Sequence, residues 1–112
     1  MKVVEYKDVE VGKTPHKVDV RKLYDNEHVQ VVHIQLQPGE ALLKHITPVD
    51  VFFYVLEGVG MVEVGDDISE VRKDMLVESP KKIPHRLWND GEGIFRFLVV
   101  KTPRPSNPAR ML

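Results

Sequence analysis

The chain has no cysteine in 112 residues, which removes disulfides, zinc ribbons and thiol nucleophiles in one step. It also lacks an excess of either charge. Lys and Arg number 16 against 17 Asp and Glu, a formal net charge of −1, and the two signs are interspersed. The longest local positive excess is Lys81-Lys82, an ordinary solvated turn. Nothing reaches the cation density that nucleic-acid binding by counterion release needs. No window is long and apolar enough to span a membrane, and Met1-Lys2-Val3-Val4-Glu5 opens as a charged, strand-like segment without an apolar signal core. A soluble cytoplasmic protein is the default expectation, with neither nucleic acid nor membrane as partner. Internal repeats and low-complexity segments are absent, and the length suits one domain with a real core but not two.

What is present is apolar patterning of period two. Val29-Gln30-Val31-Val32-His33-Ile34-Gln35-Leu36 alternates in its second half, and Met61-Val62-Glu63-Val64 alternates again. Val51-Phe52-Phe53-Tyr54-Val55-Leu56 is apolar throughout, as is Ile94 to Val100 apart from Arg96. Such runs read as strands covered on both faces. Asp25-Asn26-Glu27, Gly58, Gly60, Gly65-Asp66-Asp67 and Asn89-Asp90-Gly91 supply residues that tolerate tight reversals. Short strands at this spacing predict an all-β sandwich or barrel. One stretch leaves two readings open. Ile68, Val71, Met75 and Leu76 follow helical spacing with Ser69 as a cap, or the same residues form strands Ile68–Arg72 and Met75–Glu78 turned at Lys73-Asp74. After Val100, Pro103, Pro105 and Pro108 predict an extended tail that cannot form a ladder strand or helix and packs across the domain or a partner.

Two histidines stand at the edges of predicted strands beside these apolar runs. His45 lies in Pro38–Gly58, PGEALLKHITPVDVFFYVLEG, and His85 in Ile83-Pro84-His85-Arg86-Leu87-Trp88-Asn89. Gly39, five residues, His45 and the closing Gly58 resemble the first half of the cupin motif. Pro80, His85 and Asn89 resemble the second half. Thr47 stands where that family has a second histidine, Val51 falls about where it has a glutamate, and Lys73-Asp74 replaces its opening Gly-Asp. The resemblance implies a double-stranded β-helix, the jelly-roll cupin barrel of two antiparallel sheets, over about residues 29–101. The domain would be 1–102, with 103–112 as the proline-bearing tail. It also favours the two-strand reading around Lys73-Asp74, where the family has a turn ending in Asp.

By that resemblance His45 and His85 line an internal cavity, and the pocket candidates are His45, Thr47, Tyr54, His85 and Asn89. Tyr54 is more readily a core residue than a catalytic one, and Asn89 would orient a ligand or a neighbouring loop. His45 and His85 are also candidate ligands for one divalent metal (Fe, Mn, Ni or Zn), although two imidazoles fall short of the three fixed donors such a site wants. Candidate third donors are His33, if its face of the strand is interior, and Asp50, if a bulge turns it inward. Otherwise Ile34 and Leu36 face inward and His33 faces water or a subunit contact. His16 and His28 sit in polar, turn-like contexts and read as surface residues. Trp88 should point away from the cavity, and Lys44 and Arg86 should be solvated or ion-paired. Phe52 and Phe53 load opposite faces of one strand, so an apolar outer face predicts a homodimer. The expected function is a small-ligand pocket inside the barrel with catalysis not established. The alternatives are a metal-dependent dioxygenase or isomerase, and a structural or accessory homodimer.

Overall fold

Apolar residues at alternate positions give each long strand one face for the core and one for the outside. In the computed structural model, which describes all 112 residues, ten strands carry this pattern. β1 (Asp19–Asp25), β2 (Gln30–Leu36), β4 (Asp50–Glu57), β7 (Leu76–Ser79) and β9 (Phe95–Thr102) form one antiparallel sheet in the order β1-β2-β9-β4-β7. β3 (His45–Ile46), β5 (Val59–Val64), β6 (Asp67–Arg72), β8 (His85–Trp88) and β10 (Arg110–Met111) form the other, in the order β10-β3-β8-β5-β6. The chain passes repeatedly from one sheet to the other, and the result is the double-stranded β-helix. No helix is long and apolar enough to cross a membrane.

Register builds the core in rows. Val32 pairs with Val99 and Val99 with Phe53, while Ile34 pairs with Phe97 and Phe97 with Val55. These side chains meet Val62, Val71 and Leu87 of the second sheet, and Leu42, in one cluster of 13 buried apolar residues. Burying each stabilises the fold by about 1.5–3 kcal/mol. The hairpin between β4 and β5 needs its glycines. Gly58 has φ +83°, and a Cβ there would strike the Ile94 carbonyl; a Cβ on Gly60 would strike the Phe95 ring.

Two elements depart from expectation. The Ile68–Glu78 stretch is strand on both sides of Lys73-Asp74, but β6 and β7 do not pair with each other. They belong to different sheets, because Asp74 takes φ +70° and its N–H donates to the Val55 carbonyl, turning the chain across the layers. Val71 is buried there while Ile68 and Leu76 are exposed, so no helical stripe exists to pack. The tail likewise regains a ladder beyond its last proline. Arg110 pairs with Ile46 and Met111 with His45, which makes β10 the edge strand of the second sheet. The prolines exclude pairing only where they stand.

Candidate functional site

β3 and β8 are neighbours in the second sheet, and His45 is directly opposite His85. Both rings point inward and are buried, with centroids 4.4 Å apart in an edge-on arrangement. Their Nε2 atoms approach to 3.0 Å. His45 Nδ1 lies 2.7 Å from the Leu43 carbonyl, which can only accept, so Nδ1 carries that ring's proton. With both rings neutral, His85 must then donate from Nε2 to His45 Nε2. Its Nδ1 in turn accepts from the hydroxyl of Ser79 at 2.6 Å. Thr47 Oγ1 is 3.2 Å from His85 Nε2 and shares the same N–H. Ser79, His85, His45 and Leu43 thus form one directional chain of hydrogen bonds that holds both rings neutral and in fixed orientation.

Neutrality follows from the surroundings. Burial, and then the neighbouring His45 and Lys101, depress His85 to about 3. Burial is also the leading cause at His45, reinforced by Lys101 and opposed by the Leu43 carbonyl, and the net direction is down. His16 is lowered to about 4 by burial, His45 and Lys101. Lys101 itself is pushed down by burial and by Lys22. The Lys101 ammonium therefore acts on all three imidazoles, although it arrives from the opposite sheet, at the inner face of β9 beyond Val99.

These groups line a cavity of about 460 Å³ between the sheets. Val32, Ile34, Leu42, Phe53 and Val99 give it an apolar wall, and His16, His45, Thr47, His85 and Lys101 give it a polar one. Residues 13–16 and, from the tail, Pro108, Ala109 and Met111 complete its lining. An Arg104–Asp25 ion pair at 2.6 Å ties the tail to β1.

The remaining candidates lie elsewhere. Asn89 is buried on the His85 side, but its amide donates to the Leu36 and Gly93 carbonyls and accepts from the Gly91 N–H, so it fastens loops and does not face the cavity. Tyr54 is on the outer face of β4, where its hydroxyl donates to Asp74 at 3.2 Å; alternation puts Phe53, not Tyr54, inside. Asp50 accepts the Lys81 N–H at the strand's exposed end, with no bulge turning it inward. His33 faces away from the cavity, opposite Ile34 and Leu36. It does not meet water, however, because Tyr6 stacks on it at 4.2 Å and Arg96 donates to its Nε2 at 2.8 Å. His28 is exposed. Arg86 pairs with Glu63 at 2.8 Å and stacks over Trp88 on the outside of the second sheet.

His16 corrects the expectation of a surface residue. Its turn folds over the cavity mouth, Nδ1 accepts the Leu43 N–H at 2.8 Å, and the ring rests 4.8 Å from that of His45. Ser79 and Lys101 were not singled out by sequence at all. Alternation from Phe95, Phe97 and Val99 does predict that Lys101 faces inward, and that signal was available.

Comparison with known proteins agrees with this geometry. Residues 32–101 match the Cupin domain family. The chain is a cupin. It is 31% identical to the uncharacterized protein MJ0764 of Methanocaldococcus jannaschii over 87 residues, 77% of this chain and 75% of the relative. The crystal structure of that RmlC-like cupin superposes with a TM-score of 0.74 at 28% identity, covering 93% of this chain and 95% of the other. TT1209 from Thermus thermophilus gives a TM-score of 0.81 at 27% identity over 94% and 100% of the two chains. The polyketide cyclase RemF from Streptomyces resistomycificus gives 0.85 at 24% identity over 100% of this chain and 85% of its own, a likeness of fold.

Cupins often hold a metal, and the donors here can be tested against that role. His45 and His85 bring two imidazole nitrogens together, but no three His, Cys, Asp or Glu side chains converge where an ion could be held. The family's other two positions are Thr47 and Val51, His16 spends Nδ1 on a backbone amide, and the Lys101 ammonium repels a second cation. Two imidazoles are one donor short of the three fixed protein ligands that a resident divalent ion wants.

Proposed function

We propose that this cupin binds a small organic molecule inside its barrel. The observation that carries the proposal is the 460 Å³ cavity, whose apolar wall faces a cluster of hydrogen-bonding groups. Ligand sites of this kind combine such a volume with few, convergent polar groups. His45 and His85 would give the ligand a fixed, uncharged polar wall, their ring nitrogens being held by each other, Leu43 and Ser79. A cavity-filling variant tests the reading. Val99→Phe should abolish binding of small aromatic and aliphatic probes while the protein still unfolds cooperatively. Undiminished binding in that variant would place the ligand elsewhere.

A second reading is a metal-dependent dioxygenase or isomerase, favoured by the convergence of the two Nε2 atoms 3.0 Å apart. Metal analysis of untagged protein separates the two. Less than about a tenth of an equivalent of iron, manganese, nickel and zinc combined is the expected result. Near one equivalent, lost on changing both His45 and His85 to Ala, would favour the metal enzyme.

The same proposal includes a homodimer. The outer face of the first sheet aligns Val31, Val100 and Phe52 in one row and sets Leu98 beside Tyr54 in the next, all half-buried. Sedimentation at micromolar concentration should give twice the 12.9 kDa chain mass.

A further inference from the structure

The polar groups of the cavity are not equally committed. His45 and His85 satisfy each other, Leu43 and Ser79. Thr47 is engaged with His85. Two groups remain without a protein acceptor. One is the Lys101 ammonium, which makes no ion pair or hydrogen bond although Lys22, beside it, pairs with Asp25 at 3.5 Å. The other is Nε2–H of His16. Its Nδ1 accepts the Leu43 N–H, so a neutral ring must carry its proton on Nε2. Neither atom is sealed off by protein, the one buried side-chain polar atom without a partner being His33 Nδ1 outside the cavity.

The charges surrounding the space have one sign. Lys13, Lys22 and Lys101 line it, with three histidines and no aspartate or glutamate. A half-buried ammonium without a counterion is costly, and a buried charge is ordinarily paired. Here the missing partner is an anion small enough to enter. The register places its seat: Lys101 lies opposite Gln30 on β2, at the tail end of the cavity, and the apolar wall of Val32, Val99 and Phe53 runs inward from there.

We propose that the cavity selects a small organic acid, with its carboxylate held between Lys101 and His16 and its apolar body lying along Val32, Phe53 and Val99. This deepens the small-molecule reading above and rests on it. Lys101 supplies the charge, His16 a directed N–H donor, and the wall excludes fully hydrated inorganic anions by offering them nothing. The carboxylate is read by charge, so a neutral isostere of the same shape should lose the main contact.

Matched probes test the assignment: benzoate against benzamide and hexanoate against hexanamide, titrated into the full-length protein by calorimetry and ligand-observed NMR. The carboxylates should bind at least tenfold more tightly than their amides. Lys101→Met should remove that preference, and Lys101→Arg should keep it, which separates loss of charge from loss of fold. His16→Phe should weaken carboxylate binding severalfold and leave the amides unchanged. Equal binding of acid and amide, unaltered in Lys101→Met, would overturn the anion assignment and leave the ligand cavity standing. No binding of either probe class to the wild-type protein would overturn the cavity reading itself, and the anion assignment with it.

Discussion

Ser79 shows how much one short side chain can determine. Its hydroxyl donates to His85 Nδ1 at 2.6 Å and satisfies the one ring nitrogen of the pair that the Leu43 carbonyl and the His45–His85 contact leave without a proton or partner. Ser79→Ala removes the donor and leaves a buried nitrogen unpaired, which costs about 1–3 kcal/mol. It also removes the hydrogen bond at Nδ1, so the 15N signal of that unprotonated nitrogen of His85 should shift while the Nε2–H and the fold persist. An unchanged imidazole spectrum would contradict the proton arrangement. The histidine pair itself was legible in the chain through its resemblance to the two halves of the cupin motif, which implies that both line one cavity. His16 was not, since its role depends on a turn folding over the mouth. Nothing local to Thr14-Pro15-His16 marks that turn as buried. Lys101 was hidden for another reason: a lysine at a strand's end is usually solvated, and only the closed sheet opposite takes its solvent away.

At the level of elements, period-two alternation is sufficient to find β2 and β5, and continuous apolar runs to find β4 and β9. A run apolar at every position does not say which face is inner, which is why Tyr54 reads as a pocket candidate where Phe53 holds that place. Neither signal could assign β6 and β7 to different sheets, because the reversal at Asp74 is a tertiary turn and periodicity is local. The tail carries the larger lesson. Composition marks residues 103–108 as unable to pair, yet Arg110 and Met111 complete the sheet beside His45, and the Leu112 N–H donates to the Lys44 carbonyl at 3.0 Å. Deleting residues 103–112 therefore removes an edge strand, one wall of the cavity and the Arg104–Asp25 tie together. The exposed ion pair contributes under about 1 kcal/mol, and the strand and Met111 contribute more. A loss of about 1–3 kcal/mol, or a Tm lower by about 5–10 °C, is expected. Probe binding should weaken more than stability does, because the core rows of β2, β4 and β9 remain. A truncated protein that binds as the full chain does would remove the tail from the site.

Across the whole molecule, charge balance is near neutral but its distribution is not, and histidine burial links that distribution to acid stability. His16, His33 and His85 have native values of about 4, 4 and 3, each with burial as the leading cause, against about 6.5 when exposed. His33 is held down further by Arg96, with Arg21 adding to the effect and Asp19 opposing it. His16 and His85 face Lys101 and His45. Between pH 6.5 and 4 the unfolded chain takes up a proton at each of these sites and the folded chain does not. Stability therefore falls as pH falls, by up to about 1.4 kcal/mol per pH unit for His85 and by less for His16 and His33, whose shallower burial lets solvent screen the effect. Against the roughly 5–15 kcal/mol that holds a domain together, the combined loss is a substantial fraction, so acid should bring the chain markedly closer to unfolding. Denaturant midpoints measured at pH 7, 6 and 5 should drop progressively. His33→Phe preserves the stack on Tyr6 and removes one titrating group outside the cavity, so it should make that slope shallower. Midpoints that stay level from pH 7 to 5 would mean that these rings take up protons in the native state as readily as in the unfolded chain, and the cavity's neutral imidazole network would have to be abandoned.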